Sequence, residues 1–474
     1  MIASIFNTFA NCFKIPELKS RIFFTALMLA ICRLEAWVVI PGLNGAALQQ
    51  YFNQIQTQTN SPLGMISMFS GGALEHCAVG ALTIMPYISA TIVMQLLTAV
   101  VPSLSKLARQ DDGRVKIIKY SRYMTVLICI GQGFFMTLGW EHPSQIPGFG
   151  SFTQVTGLDT LVLHTGHIWW YRFQTITVLT TGSLLLMWIG EQISERGIGN
   201  GVSLIITINI MARLPKACGE LMTMFFPAGV TDTQYNKSYA VGLVLLLAAV
   251  VAGLIAVVQA QRKIPVQYAQ RAVGRKVYSG GQSFLPLKLN FAGVMPIIFA
   301  SAILSVPQYL FSYAGGLFPS LIFLKRWANL LYEGTFTYIV VFALLILFFS
   351  YFWTATQFNE LQIADDLKKN GGYVPGVRPG QATSTYLHNA MSRITFAGAL
   401  SLTVIAVIPI ILKRVMNIPY DVAQFFGGTS MLIMVGVLLD TMRQMESHLM
   451  MRHYDGFLRG GKGGRSGPRM RGRL

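Results

Sequence analysis

Side chains capable of covalent chemistry are present in this sequence, but in no pattern that such chemistry uses. There is no His-Glu-x-x-His pair for zinc, no Gly-x-Ser-x-Gly nucleophile turn and no pair of carboxylates on one helix face. Five cysteines (Cys12, Cys32, Cys77, Cys129 and Cys218) are scattered and never form a C-x-x-C pair, which favours small buried hydrophobes over disulfides or metal ligands. His142, His164 and His167 lack metal-ligand spacing. Gly456 to Lys462 comes close to a phosphate-binding loop. Gly463, however, stands where Ser or Thr holds Mg²⁺, and no strand precedes it. The Gly-rich run at 197–201 lies between two hydrophobic stretches and reads as a tight turn. The expectation is a protein that is not an enzyme, with no catalytic residue, metal or cofactor.

Ionisable residues inside the apolar stretches are the usual mark of ion-coupled transport. Here they are few: Arg33 and Glu35 late in the first stretch, and Glu191, Asp440 and Arg443 at stretch ends. That scarcity weighs against a secondary transporter with broken helices, which is the alternative reading. What the stretches offer is aliphatic. Ile84 and Ile88 are four apart and share a helix face, as do Val202 and Ile206. Such spacing suits a lipid-facing or core pair as well as a pore lining, and spacing alone leaves these open.

The elements that carry these residues follow from composition. Of 474 residues, 53% are hydrophobic and 12% charged, against roughly 25% charged in a soluble domain. The chain is therefore a polytopic membrane protein and all-α in class. Apolar runs long enough to span lie near 22–40, 80–101, 115–139, 173–190, 198–214, 239–260, 291–312, 335–356, 393–412 and 421–439. They predict ten transmembrane helices, the fifth marginal and extending toward Phe226. Most of the 37 lysines and arginines fall in 1–21, 102–122, 191–197, 260–290, 357–393 and 440–474, which places those segments and both termini in the cytoplasm. Met1 to Ser20 shows no cleavable signal and alternates apolar and polar positions as an interfacial amphipathic helix does. The tail beyond Arg459 is Gly, Arg and Lys without apolar content, a composition expected to be disordered. Two inner loops, 260–290 and 357–393, combine basic residues with dense Gly and Pro, as shaped docking surfaces do.

The apolar stretch from Leu63 to Val101 is too long for one helix and is broken at Ser70-Gly71-Gly72, with Glu75 and His76 before the next run. Irregular backbone at membrane depth persists where protein or a water-filled cavity satisfies it. The stretch reads either as a loop dipping into the outer interface or as a re-entrant segment inside a pore.

Five motifs in order resemble the SecY family, the channel subunit of the bacterial Sec protein translocase. They are FSGGAL at 69–74 with IMPYISATIVMQLL at 84–97, GEQISERGIGNGVSLII at 190–206 and LPLKLNFAGVMPIIFASAIL at 285–304. FNELQIADDLKKNGGYVPGVRPG at 358–380 and FFGGTSMLIMVGVLLDTMRQMES at 425–447 complete the set. Residues 20 to about 458 are covered; the outer loops 141–171 and 311–334 match least.

The resemblance implies two pseudo-symmetric five-helix halves around a central pore. It divides the chain into 1–20, a first half at 21–214, an outer hinge at 215–238, a second half at 239–440 and a basic tail at 441–474. It puts a ring of pore residues at Ile84, Ile88, Val202, Ile206, Ile298 and Ile433. A plug falls at about 65–79, with Phe69, Ser70, Gly71, Gly72, Ala73 and Leu74 at its centre. A lateral gate is implied between Ala81–Leu97 and Phe291–Leu310, through which transmembrane segments reach membrane lipid. Docking of the SecA ATPase and the ribosome maps to Arg271, Arg275, Lys276 and Arg378. The implied partners are SecE, SecG, SecA, the ribosome and preproteins bearing signal sequences. The implied location is the bacterial plasma (inner) membrane.

Overall fold

The computed structural model describes residues 15–55, 70–108, 110, 113–143, 152–163, 167–225, 237–268, 271–273, 276–278, 282–297, 299–301, 303–304, 335–416 and 429–459, with isolated positions between 307 and 331. In chain order, helix α1 is Pro16–Glu35 and α2 is Gly45–Ile55. A short 3₁₀ turn, Val79–Leu82, leads into α3, Met85–Val100, and α4 is Pro102–Ala108. Then come α5 (Gly113–Glu141), α6 (Phe152–Thr156), α7 (Ile168–Arg196), α8 (Gly201–Met211), α9 (Leu214–Phe225) and α10 (Lys237–Gln259). The second part holds α11 (Phe336–Gln357), α12 (Glu360–Lys369), α13 (Gln381–Met416) and α14 (Thr429–Arg459).

Among the described residues, seven helical stretches are long and apolar enough to cross a membrane: Val79–Thr98, Val115–Glu141, Ile168–Arg196, Gly201–Thr223, Val241–Gln259, Phe336–Lys369 and Gln381–Ile408. They correspond to the second to sixth, eighth and ninth of the ten expected spans. The first, expected at 22–40, is helical only as far as Glu35, and its helix α1 carries Glu17, Lys19, Arg21, Arg33 and Glu35. The seventh and tenth run through residues outside the description. Residues 295–297 and 299–301 are helical, and α14 begins at Thr429. The fifth span continues past a turn at 212–213 as α9, so 214–225 is helix, where an outer hinge loop was expected from 215. Pro215 explains the break, since it has no N–H for the continuing ladder. Residues 1–14, 226–236 and 460–474, which hold part of the expected terminal segments and part of the expected hinge, lie outside the described residues.

Helix pairing follows sequence order in the first part: α3 packs on α5, and α5 on α7. Two bidentate ion pairs clamp that second pair at opposite ends, Arg122 to Glu191 (3.0 and 2.8 Å) and Arg172 to Glu141 (2.8 and 2.7 Å). Hydroxyls inside the helices donate to carbonyls a turn back, as Thr125 does to Ser121 (2.8 Å) and Ser350 to Ile346 (2.7 Å). No polar group need then face lipid. In the second part α11 packs on α13, and α10 touches both α13 and α14. The outer faces expose large apolar side chains such as Phe135, Leu245 and Phe336, as a lipid-facing surface does.

The inner loop at 260–290 is not irregular. Strand β1, Gln261–Tyr268, pairs antiparallel with β4, Gln282–Lys288, while β2 (Arg271–Val273) and β3 (Lys276–Tyr278) form a second, smaller hairpin. The second inner loop joins this sheet. Strand β5, Gly372–Tyr373, adds to the free edge of β1 with Gln267 opposite Tyr373. Ile264 joins Leu387 and Ile394 of α13 in one apolar cluster, and Val266 is also buried. Alternation at these two positions is the strand signal; basic neighbours and Pro265 mask it in the sequence.

Candidate functional site

The aliphatic residues singled out in the sequence meet at the centre of the molecule. Ile84 (1% exposed), Ile88 (5%), Ile206 (7%) and Ile433 (2%) belong to one apolar cluster, and Val202 packs against it half-buried. Three elements deliver them. Ile84 is the residue before α3, where Pro86 fits the first turn because its missing N–H has no partner there. Ile88 follows one turn later on the same face. Val202 and Ile206 sit on α8, whose start is fixed by the Asn200 side chain accepting from the amides of Val202 (3.1 Å) and Ser203 (3.4 Å). Ile433 comes from α14, which packs along α8. Ile298 lies outside the described residues, but Val294 and Met295 on its segment pack against the cluster. The site therefore draws together residues up to 349 positions apart (84 to 433).

Immediately beyond this cluster lies the broken stretch. Phe69 is outside the description; Ser70, Gly71, Ala73 and Leu74 are buried and Gly72 half-buried. Gly71 and Gly72 have φ of +59° and +92°, the left-handed region that glycine enters at little cost. Space imposes the same choice at Gly71, where a β-carbon would lie 2.5 Å from the Arg33 guanidinium and 3.1 Å from Asn209 Cα. The segment is tied from several sides. Ile40 N–H donates to Cys77 O and Val79 N–H to Val38 O, each at 2.9 Å, and Trp37 stacks on His76 at 5.1 Å. Arg33 of α1 donates to the Gly71 carbonyl and to Asn209 Oδ1 of α8, both at 3.3 Å. Glu75 forms a buried ion pair with Arg213. Leu74, Cys77 and Leu82 pack into an outer apolar cluster with Tyr51, Phe152 and Leu161.

Asn209 stands three residues beyond Ile206, so the Gly71 turn meets the wall about 4.5 Å along the helix axis from the aliphatic cluster. Arg33, Glu75, Asn209 and Arg213 were not singled out as site residues by sequence. The available signal was charge of both signs near membrane depth, which must pair or face a cavity. Glu35, by contrast, is buried beside Gly80 and Gly182 with no hydrogen-bond partner on either oxygen among the described residues.

A seam runs from α3 to the 291–304 segment. Ile92 packs with Met295 in the central cluster and again in a second cluster containing Ala292, Phe299, Phe349 and Trp353. Arg378 is exposed on the turn between β5 and α13. Arg271 and Lys276 lie on the β2–β3 hairpin, and Arg275 at its turn is outside the described residues. The β1–β5 pairing joins the two loops that carry these basic residues.

An apolar cluster, a small irregular segment held beside it, and a surround of lipid-length helices make a helical membrane channel the class this fold defines. Solved structures agree on the fold. The chain aligns over 90% of its length with 91% of a protein-conducting channel (TM-score 0.58, 16% identity) and, with the same coverage, with Sec61 in a canine ribosome–channel complex (TM-score 0.55, 16% identity). The sequence profile of SecY matches residues 78–442. Similarity to protein translocase subunit SecY of Chlamydia trachomatis serovar D is 41% identity, over 95% of this chain and 98% of that one. For the SecY of Escherichia coli K12 it is 38%, over 94% of each. The chain belongs to the SecY family.

Proposed function

We propose that this chain is the channel subunit of a preprotein translocase in a bacterial plasma membrane, with both termini in the cytoplasm. Unfolded secretory proteins pass through the ring of Ile84, Ile88, Val202, Ile206, Ile298 and Ile433. The reading is supported above all by one observation: four buried isoleucines from three elements converge, with a glycine-hinged segment pinned directly beyond them. An aliphatic collar closes around chains of any sequence, because dispersion contacts do not read side-chain identity. It also resists ions, which do not shed water into an apolar constriction. Residues 65–79 act as the plug. The seam between Ala81–Leu97 and Phe291–Leu310 acts as the lateral gate, through which hydrophobic segments leave for lipid. Halves at 21–214 and 239–440 move about the connection at 215–238. The joined inner loops, with Arg271, Arg275, Lys276 and Arg378, dock the SecA ATPase or the ribosome, which supply the energy; SecE and SecG complete the complex. The few ionisable groups near the ring, Arg33, Glu75 and Arg213, are engaged with partners on the plug and α8, which suits a seal better than a carrier site.

Reconstitution tests the whole reading. The complex in vesicles, given SecA, ATP and a signal-bearing preprotein, is expected to render that preprotein resistant to external protease. Absence of protection in every orientation of the vesicle sinks it.

A further inference from the structure

Two guanidinium groups, Arg33 on α1 and Arg213 in the turn after α8, hold the same broken segment just beyond the aliphatic cluster. Ile206 and Asn209 are three residues apart on α8 and share a face, and Arg213 lies in the turn that follows the helix. Arg33 reaches the same face from α1 through Asn209 Oδ1. Arg33 sits on α1 and Arg213 in the turn between α8 and α9, whereas Glu75 sits in the run of turns at 70–77. In the closed arrangement Glu75 answers Arg213 directly, and the Arg33 contacts with Gly71 and Asn209 are to neutral oxygens. Glu35, the other buried carboxylate nearby, is turned toward Gly80 and Gly182.

We infer that Arg33, Asn209 and Arg213 form a carboxylate-binding site in the channel wall, occupied by Glu75 when the plug is seated and by acidic side chains of the polypeptide in transit when it is displaced. The inference rests on the channel reading. A buried cation deprived of its partner is strongly unfavourable in a low-dielectric wall. When Glu75 leaves, the wall presents two positive charges to whatever passes. A carboxylate on the moving chain takes the vacated place, and a lysine or arginine meets repulsion. The same groups therefore do two things: they hold the plug, and they make transit depend on the charge of the cargo.

The test uses the complete complex in vesicles, with SecA, ATP and the membrane potential collapsed. Three versions of one preprotein carry a short run of aspartate, serine or lysine in the mature part. The parental channel is expected to pass the aspartate version about fivefold or more faster than the lysine version, and Arg213→Gln to bring the two together. Resting ion leak should rise by a similar factor in Glu75→Gln and in Arg213→Gln, and fall back in the exchanged pair Glu75→Arg with Arg213→Glu. Should a single variant fail to fold, the double variant Glu75→Gln with Arg213→Gln carries the cargo comparison. An unchanged aspartate-to-lysine ratio in that double variant overturns the wall site, with transport itself intact. Loss of the ratio with leak unchanged in both single variants overturns the plug half of the inference. A parental complex that passes none of the three overturns the channel reading and this site together.

Discussion

Gly201 faces Gly190 so closely that a β-carbon on Gly201 would lie 1.9 Å from the Gly190 carbonyl oxygen. The contact brings the start of α8 against α7, with the Val202, Ile205 and Ile84 side chains around Gly190. The obstacle is backbone, not the end of a flexible side chain, so relief requires the helices to part. Gly201→Ala is expected to cost about 1–3 kcal/mol, read as a lower melting temperature in detergent. Because α8 carries two ring residues, resting ion leak should rise with it. A variant that melts with the parent would show that α7 and α8 yield without cost.

The inner loops carry a prediction with a salt signature. Arg378 is exposed beside the sheet formed by both loops, and exposed charges separated by more than about 8–10 Å of saline are screened. Arg378→Glu is expected to weaken SecA and ribosome binding roughly tenfold at low salt, with the deficit shrinking as salt rises. Membrane insertion should be unaffected, since basic residues elsewhere on the inner side remain. Equal affinity of variant and parent at low salt removes Arg378 from the docking surface.

These predictions differ in how far the sequence alone foreshadows them. Ile84 with Ile88 and Val202 with Ile206 are visible as pairs because four residues make one turn, yet the pairs look the same whether they face lipid, core or pore. The family motifs supply the choice, and the structure brings the two pairs together with Ile433. The Glu75–Arg213 ion pair was not legible: its partners are 138 residues apart, and local pattern has nothing to say about separations of that kind. Glu75 is conspicuous beside the broken stretch, but nothing nearby says which cation it meets. Likewise β1 and β5 lie in segments dense with turn residues, and their pairing depends on α13 covering Ile264. Local periodicity finds helices; it does not find what folds onto them.

Cys77 offers a report on plug movement. Its side chain is fully buried among the outer cluster and its thiol is free. In a protein whose other four cysteines are replaced by serine or alanine, a membrane-impermeant maleimide added outside is expected to label Cys77 slowly at rest. Labelling should accelerate when a preprotein is arrested in the channel. The rate follows the population of the open arrangement, since a buried thiol reacts through opening. Rapid labelling at rest, or no change on arrest, contradicts a plug that moves.

The ring itself gives the sharpest test. Ile433 is 2% exposed and packs with Ile84, Ile88 and Ile206. Closure relies on aliphatic side chains that gain nothing from water. Ile433→Asn sets an amide donor and acceptor in that cluster, and a polar group stripped of partners costs roughly 1–3 kcal/mol. The wetted arrangement, in which the amide finds water, gains by comparison. A shift of about 1.4 kcal/mol is already tenfold in the closed-to-open ratio. In the proposed channel a signal sequence contributes the free energy of opening, so a ring weakened by that amount requires less of it. Ile433→Asn is therefore expected to export preproteins with defective signal sequences and to raise resting conductance about tenfold. Ile433→Leu keeps volume and apolarity and should stay near the parent. Single-channel conductance, measured beside export of a signal-deleted reporter, decides the matter. An asparagine variant as tight and as selective as the parent puts Ile433 outside the pore.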